Sequence, residues 1–128
     1  MLSPSRSSAR AFVWAAAVAC VAAVVAASAT ASPQAARVTR VTVGMVEYKF
    51  HLSRNKVPKG TVVFTVVNKG ELAHIFAIPS LHKMTPLLQP GRRSTLRVTF
   101  RKPGKIYYIC PVGAHVQFGM AGNLRVTR

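Results

Sequence analysis

The chain has 128 residues, 50% of them hydrophobic, and sets 18 Lys and Arg against 2 Asp and Glu for a formal net charge of +16 at pH 7. That length holds one domain beside an atypical start. The two carboxylates, Glu47 and Glu71, fall in unrelated contexts and no serine is paired with a histidine in a recognisable elbow. Hydrolytic catalysis therefore lacks its material, and the chain is expected not to be an enzyme.

The start has the layout of a secretory signal. Arg6 and Arg10 supply positive charge, Ala11 to Ala27 contain no charged or strongly polar residue, and Ala27-Ser28-Ala29 and Ala29-Thr30-Ala31 offer two Ala-x-Ala cleavage sites. Residues 1–31 are read as the signal and residues 32–128 as one exported domain, placed in the periplasm, outside the cell or against the cell envelope. Ala11 to Ala31 also approaches the ~20 apolar residues that span a bilayer, so the segment doubles as a candidate uncleaved anchor. Ala17-Val18-Ala19-Cys20 loosely resembles a lipoprotein processing site, but the residues after Cys20 stay apolar, so Cys20 is read as lost with the signal.

Cleavage after Ala31 removes Arg6 and Arg10, which lowers the +16 of the whole chain by two, to +14. Such a field attracts anionic partners over long range. Export, and the lack of basic residues interleaved with aromatics, argue against nucleic acid. An acidic redox partner or an anionic envelope surface fits better, and the domain is expected to be a monomer. One cysteine, Cys110, survives cleavage. Small exported domains use cysteines in pairs, so an odd one marks a special thiol.

After the signal the pattern is strand and turn. Val41, Val43 and Met45 alternate with other residues, and Val46, Tyr48, Phe50 and Leu52 alternate in the opposite phase. That slip, near Gly44, predicts a bulge or a sheet crossover. Val57-Pro58-Lys59-Gly60 reads as a turn, Thr61 to Val67 as a strand, and Asn68-Lys69-Gly70 as another turn. Leu72 to Ile78 reads as a strand, Pro79 to Gly91 as irregular, and Ser94 to Phe100 as a strand. Lys102-Pro103-Gly104 turns the chain into Ile106 to Cys110, and Asn123 to Thr127 closes it. No stretch carries helical periodicity. About seven to eight short strands at even spacing predict an all-β antiparallel sandwich.

The chemistry gathers on one loop, where Cys110, His115 and Met120 are spaced Cys-x4-His-x4-Met. Alone, the methionine reads as packing and the cysteine as an inert thiol. Together a thiolate, an imidazole and a thioether suit copper, and a second imidazole completes an electron-transfer site. His74, among apolar residues, is the best candidate for it. His51 and the His82-x-Met84 triplet are weaker and read as surface features.

With Tyr108 two residues before Cys110, His115, the Gly119-Met120 exit and an isolated His74 upstream, residues 37–128 resemble the cupredoxins, small blue-copper proteins such as plastocyanin and azurin. The resemblance implies a Greek-key β-sandwich, a trigonal plane of His74, Cys110 and His115, and Met120 in the axial position. The spacing from Cys110 to His115 is like azurin's and longer than plastocyanin's. Two positions depart from the family's pattern. Ala114 stands where glycine often precedes the second histidine, with Gly113 one place earlier. Ile75 stands where an asparagine commonly ties the two ligand loops together.

Other metal architectures lack their residues. A binuclear copper centre needs two bridging cysteines, multicopper oxidases need several His-x-His pairs, and zinc wants four firm ligands, of which methionine is not one. The expected function is one-electron transfer on a single copper. The alternative is copper binding and delivery without electron turnover. The apolar rim of Pro111, Val112, Ala114, Val116 and Phe118 implies a shielded metal, with the edge of His115 as the port where an acidic partner docks.

Overall fold

The structure, a computed structural model, describes residues 37–128. The export signal, its cleavage sites and Cys20 lie outside the described residues. Nine strands follow in order: β1 Thr39–Val46, β2 Lys49–Leu52, β3 Lys56–Pro58, β4 Gly60–Asn68, β5 Ala77–Ile78, β6 Lys83–Met84, β7 Arg93–Phe100, β8 Gly104–Ile109 and β9 Ala121–Thr127. One sheet has the order β2-β1-β4-β7 and the other β3-β9-β8-β5-β6.

The all-β expectation holds, with one correction. The nine strands among the described residues agree roughly with the expected seven to eight, and both sheets are mixed. β1 runs parallel to β4, and β3 runs parallel to β9. Alternation reports which side chains face inward and carries no information about a neighbour's direction. Between β1 and β4 the chain makes a hairpin to β2 and then crosses to the other sheet for β3. Such an excursion is what lets two strands of one sheet lie parallel.

The phase slip has a simpler cause than a bulge or crossover. Glu47-Tyr48 form a two-residue turn, with Val46 opposite Lys49, so the chain reverses inside the second alternating run. The first half of the supposed turn at Val57–Gly60 is strand β3, which buries Val57 against the core, and Gly60 already opens β4. Its Pro58 is tolerated because β3 lies at the edge of its sheet. Of Leu72 to Ile78, only Ala77–Ile78 form a strand. His74 is held instead by paired backbone bonds with Leu88, at 3.0 and 2.9 Å.

The core lies between the sheets. Val41, Val43, Met45, Val62, Phe64 and Val66 come from β1 and β4, and they face Phe76, Ile78, Tyr108, Leu124 and Val126. Burying each such side chain stabilises the fold by about 1.5–3 kcal/mol. Phe76 sits at the centre of an aromatic cluster, with ring centroids 5.3 to 5.5 Å from Phe50, Phe64 and Tyr108. This packing fixes the segment that carries His74 against β8, which leads into Cys110.

The two carboxylates lie at one end. The Glu47-Tyr48 turn, Asn68 and Ile109 mark one end of the strands, and both acidic side chains, Glu47 and Glu71, belong to it. Towards the other end, register places Lys56, Arg125 and Lys105 side by side across β3, β9 and β8, all three exposed.

Candidate metal centre

The loop after β8 is closed by its own backbone. The Cys110 amide donates to Met120 O at 3.0 Å, and the Met120 amide donates to His115 O at 2.9 Å. Cys110 and Met120 thus extend the β8–β9 ladder by one step beyond Ile109 opposite Ala121. Inside the loop, the His115 amide donates to Val112 O at 3.0 Å and the Gly119 amide to Val116 O at 2.9 Å. Gly113 and Gly119 take φ of +47° and +96°, the left-handed region that glycine enters without steric cost. Among the described residues His82 is the only non-glycine with positive φ, so Ala114 sits in ordinary backbone and the turn before His115 is made at Gly113.

Three sequence-predicted donors meet. His74 Nδ1 and His115 Nδ1 are 3.2 Å apart, and Cys110 Sγ lies 3.5 Å from His115 Nδ1 and 3.9 Å from His74 Nδ1. A point equidistant from all three lies about 2.1 Å from each, within the ~2.0–2.3 Å of first-row metal bonds to imidazole and thiolate. His74, Cys110 and Met120 are wholly buried, and His115 is 9% exposed. Burial first, and then repulsion from His74, push the His115 imidazole below its ordinary pKa, with Glu47 partly opposing. A neutral imidazole is the form that ligates. His51 and His82 stay apart from this cluster, exposed on β2 and after the 3-10 turn Pro79–Leu81.

Sequence reasoning missed the residues that hold these donors. Oε1 of Glu47 accepts from the Glu71 amide at 2.9 Å, the Leu72 amide at 2.7 Å and His74 Nε2 at 3.0 Å. The Leu72 amide is the main reason that the Glu47 carboxyl falls to about 2, against the opposing effect of burial; the His74 contact adds to it. A proton on His74 Nε2 leaves the Nδ1 lone pair directed at the other donors. Asn68, wholly buried at the end of β4, donates from Nδ2 to Leu72 O at 2.7 Å and to Leu88 O at 2.8 Å, and its Oδ1 accepts from the Gly70 amide at 2.9 Å. It pins both flanks of the His74 bridge. The signal for Glu47 was its rarity as one of two acids in a base-rich chain. For Asn68 it was an amide closing a β-branched strand.

A family model described as a cupredoxin-like domain matches residues 16–125. The chain belongs to the cupredoxin-like family. Solved cupredoxin structures share the fold at low identity. An auracyanin from Roseiflexus castenholzii is 18% identical over 70% of this chain and 98% of that one, with a TM-score of 0.59. Auracyanin A from Chloroflexus aurantiacus, described as a "blue" copper protein, is 15% identical over 71% and 100%, with a TM-score of 0.55. The periplasmic domain of cytochrome oxidase subunit II from Bradyrhizobium japonicum is 15% identical over 70% and 84%, with a TM-score of 0.58. No curated protein matches the sequence.

Within this cupredoxin the cluster is a copper site. Two imidazoles and one thiolate converge with bond-length spacing, and a buried thioether residue closes the same loop. That donor set selects copper over the harder divalent ions.

Proposed function

We propose that this protein is an exported blue-copper carrier of single electrons, with His74, Cys110 and His115 as equatorial ligands and Met120 as the axial one. The observation that carries this reading is the convergence of His74 Nδ1, His115 Nδ1 and Cys110 Sγ on one point, in a site that only His115 connects to the surface. Bound copper supplies a one-electron couple, and a redox partner is oxidised or reduced in turn. The chain's residues supply the rest. The loop bonds and Asn68 hold the donors in place, the apolar core excludes water, and the Ile75 amide donates to the sulfur at 3.4 Å.

The port is the edge of His115. The Tyr48 ring packs edge-on to it, with centroids 5.1 Å apart, and against Phe118 at 4.8 Å. Phe118 is 62% exposed, so the surface beside the port is apolar. A small apolar patch suits the brief contacts of electron carriers, which bury little area. The alternative, copper delivery, needs ligands that a recipient can reach. Complete burial of His74, Cys110 and Met120 favours a resident copper. Export rests on the reading of residues 1–31 as a signal.

The test is voltammetry and visible spectroscopy of the copper-loaded domain. One copper per chain, an intense visible band in the oxidised form and a reversible one-electron wave are expected. A colourless Cu(II) form, or copper that passes to a chelator faster than electrons pass to the electrode, overturns the reading.

A further inference from the structure

The acceptor bonded to Nε2 of His74 is a carboxylate, and it is fixed in place from three directions. Two backbone amides, of Glu71 and Leu72, hold Oε1 of Glu47 on one side. Gly70 backs it on another, where a Cβ in place of the glycine hydrogen would run into both carboxylate oxygens. His74 Nε2 takes the third, at 3.0 Å, on a side chain that is itself wholly buried. The Glu47 side chain keeps 28% of its surface exposed while touching a wholly buried ring. A carboxylate that accepts the N–H of a ligating imidazole fixes its tautomer and raises its basicity, and losing such a partner typically costs 10–100-fold in metal affinity.

We propose that Glu47 is a positioning residue that biases the copper towards Cu(II), by holding His74 in its Nε2-protonated form and strengthening its Nδ1 as a donor. This rests on His74 being a copper ligand. A negative charge one imidazole away stabilises the doubly charged ion more than the singly charged one. The two amides alone would require only an acceptor at this position, which a neutral amide side chain also provides. The placement of a full charge against His74 is therefore the feature with a redox consequence.

The experiment compares wild type with Glu47→Gln, which keeps an acceptor for the Glu71 and Leu72 amides and removes the charge. Affinities for Cu(I) and Cu(II) are measured separately by chelator competition, alongside the midpoint potential. Cu(II) affinity is expected to fall about tenfold more than Cu(I) affinity, which for a one-electron couple raises the potential by about 59 mV. Equal losses for both ions, or an unchanged potential, would reduce Glu47 to a brace for the loop and overturn the proposal. Nitrogen-15 spectra of metal-free wild type provide a reading that needs no variant: His74 should carry its proton on Nε2, and a proton on Nδ1 overturns the idea. His74→Ala is run in parallel. If it leaves copper binding and colour intact, the ligand assignment itself fails. If it abolishes them while Glu47→Gln shifts nothing, only the role of Glu47 fails.

Discussion

The amide of Ile75 lies 3.4 Å from the sulfur of Cys110 and donates its hydrogen to it. The residue after His74 thus ties the two ligand-bearing segments together through its backbone, where the family commonly uses an asparagine side chain. The remaining ties come from Asn68 and Glu47, which reach the His74 segment from β4 and the β1–β2 turn. Ile75→Asn should therefore leave both the midpoint potential and the copper release rate close to wild type, since the N–H to sulfur bond is retained. A large shift in either would mean that the loop is less firmly held than these bonds imply.

Asn68 is the more vulnerable position. Asn68→Ala removes three hydrogen bonds at a wholly buried site and leaves the Gly70 amide and the Leu72 and Leu88 carbonyls without that partner. Only the bond to Leu88 O is fully buried, and that carbonyl keeps the His74 amide, so a loss of about 1–3 kcal/mol is expected in denaturant unfolding of the metal-free domain. Copper release should accelerate as well, because Leu88 and Leu72 flank the bridge that holds His74. Asn68→Asp should recover only the bond from Gly70. A midpoint unchanged by Asn68→Ala would contradict this account.

The four ligands should differ in what their loss does. Cys110→Ser removes the thiolate and with it the visible band and most of the affinity. His74→Ala should open the buried interior of the site, whereas His115→Ala should open its surface edge, which small imidazoles in solution can fill more readily. Met120→Leu keeps volume and burial, so copper and colour should remain while the potential shifts. Absorption spectra with copper titration, with and without added imidazole, distinguish the four. Equal rescue of both histidine variants would place the port elsewhere.

Docking should depend on the surface beside His115. Val116→Asp adds a negative charge next to the port and should slow electron exchange with an acidic partner without altering the colour. Attraction by the net positive charge should raise association by as much as ~10 to 10³-fold at low salt and fade as salt is added. Stopped-flow exchange with an acidic and a basic partner over a salt series checks both. Rates that ignore both salt and Val116→Asp would put the contact surface away from His115.

The sequence made the donors legible because their chemistry is unusual and their spacing is local. Cys110, His115 and Met120 lie on one loop, and a soft-ligand set stands out in any composition. His74 was found by elimination, as the isolated histidine among apolar residues. The supports were not legible, because each acts across a long stretch of chain: Glu47 reaches His74 over 27 positions and Asn68 reaches Leu88 over 20. Strand alternation located β1, β4 and β7 well. It misread the hairpin at Glu47-Tyr48 because a two-residue turn without glycine or proline leaves the alternation almost unbroken. It also misread the parallel pairings, since a strand's facing pattern is the same whichever way its neighbour runs.

The row of Lys56, Arg125 and Lys105 has a consequence for how the whole domain orients. Neighbouring strands stand about 4.8 Å apart, so three like charges share a span of about 10 Å with no acidic side chain opposite any of them. Both carboxylate side chains belong to the other end, with the copper ligands. The basic row and the two carboxylates thus lie towards opposite ends, with Lys49, Lys69, Arg92 and Arg93 keeping the copper end cationic as well. Within a screening length of about 8 Å from a negatively charged surface, the net charge draws it in and the two carboxylates disfavour contact through the copper end. We propose that on such a surface it rests on the basic row, with Phe118 and the edge of His115 facing the water. In that posture adsorption leaves the redox end free for a soluble partner, while a partner lying flat in the same surface meets only lysine and arginine.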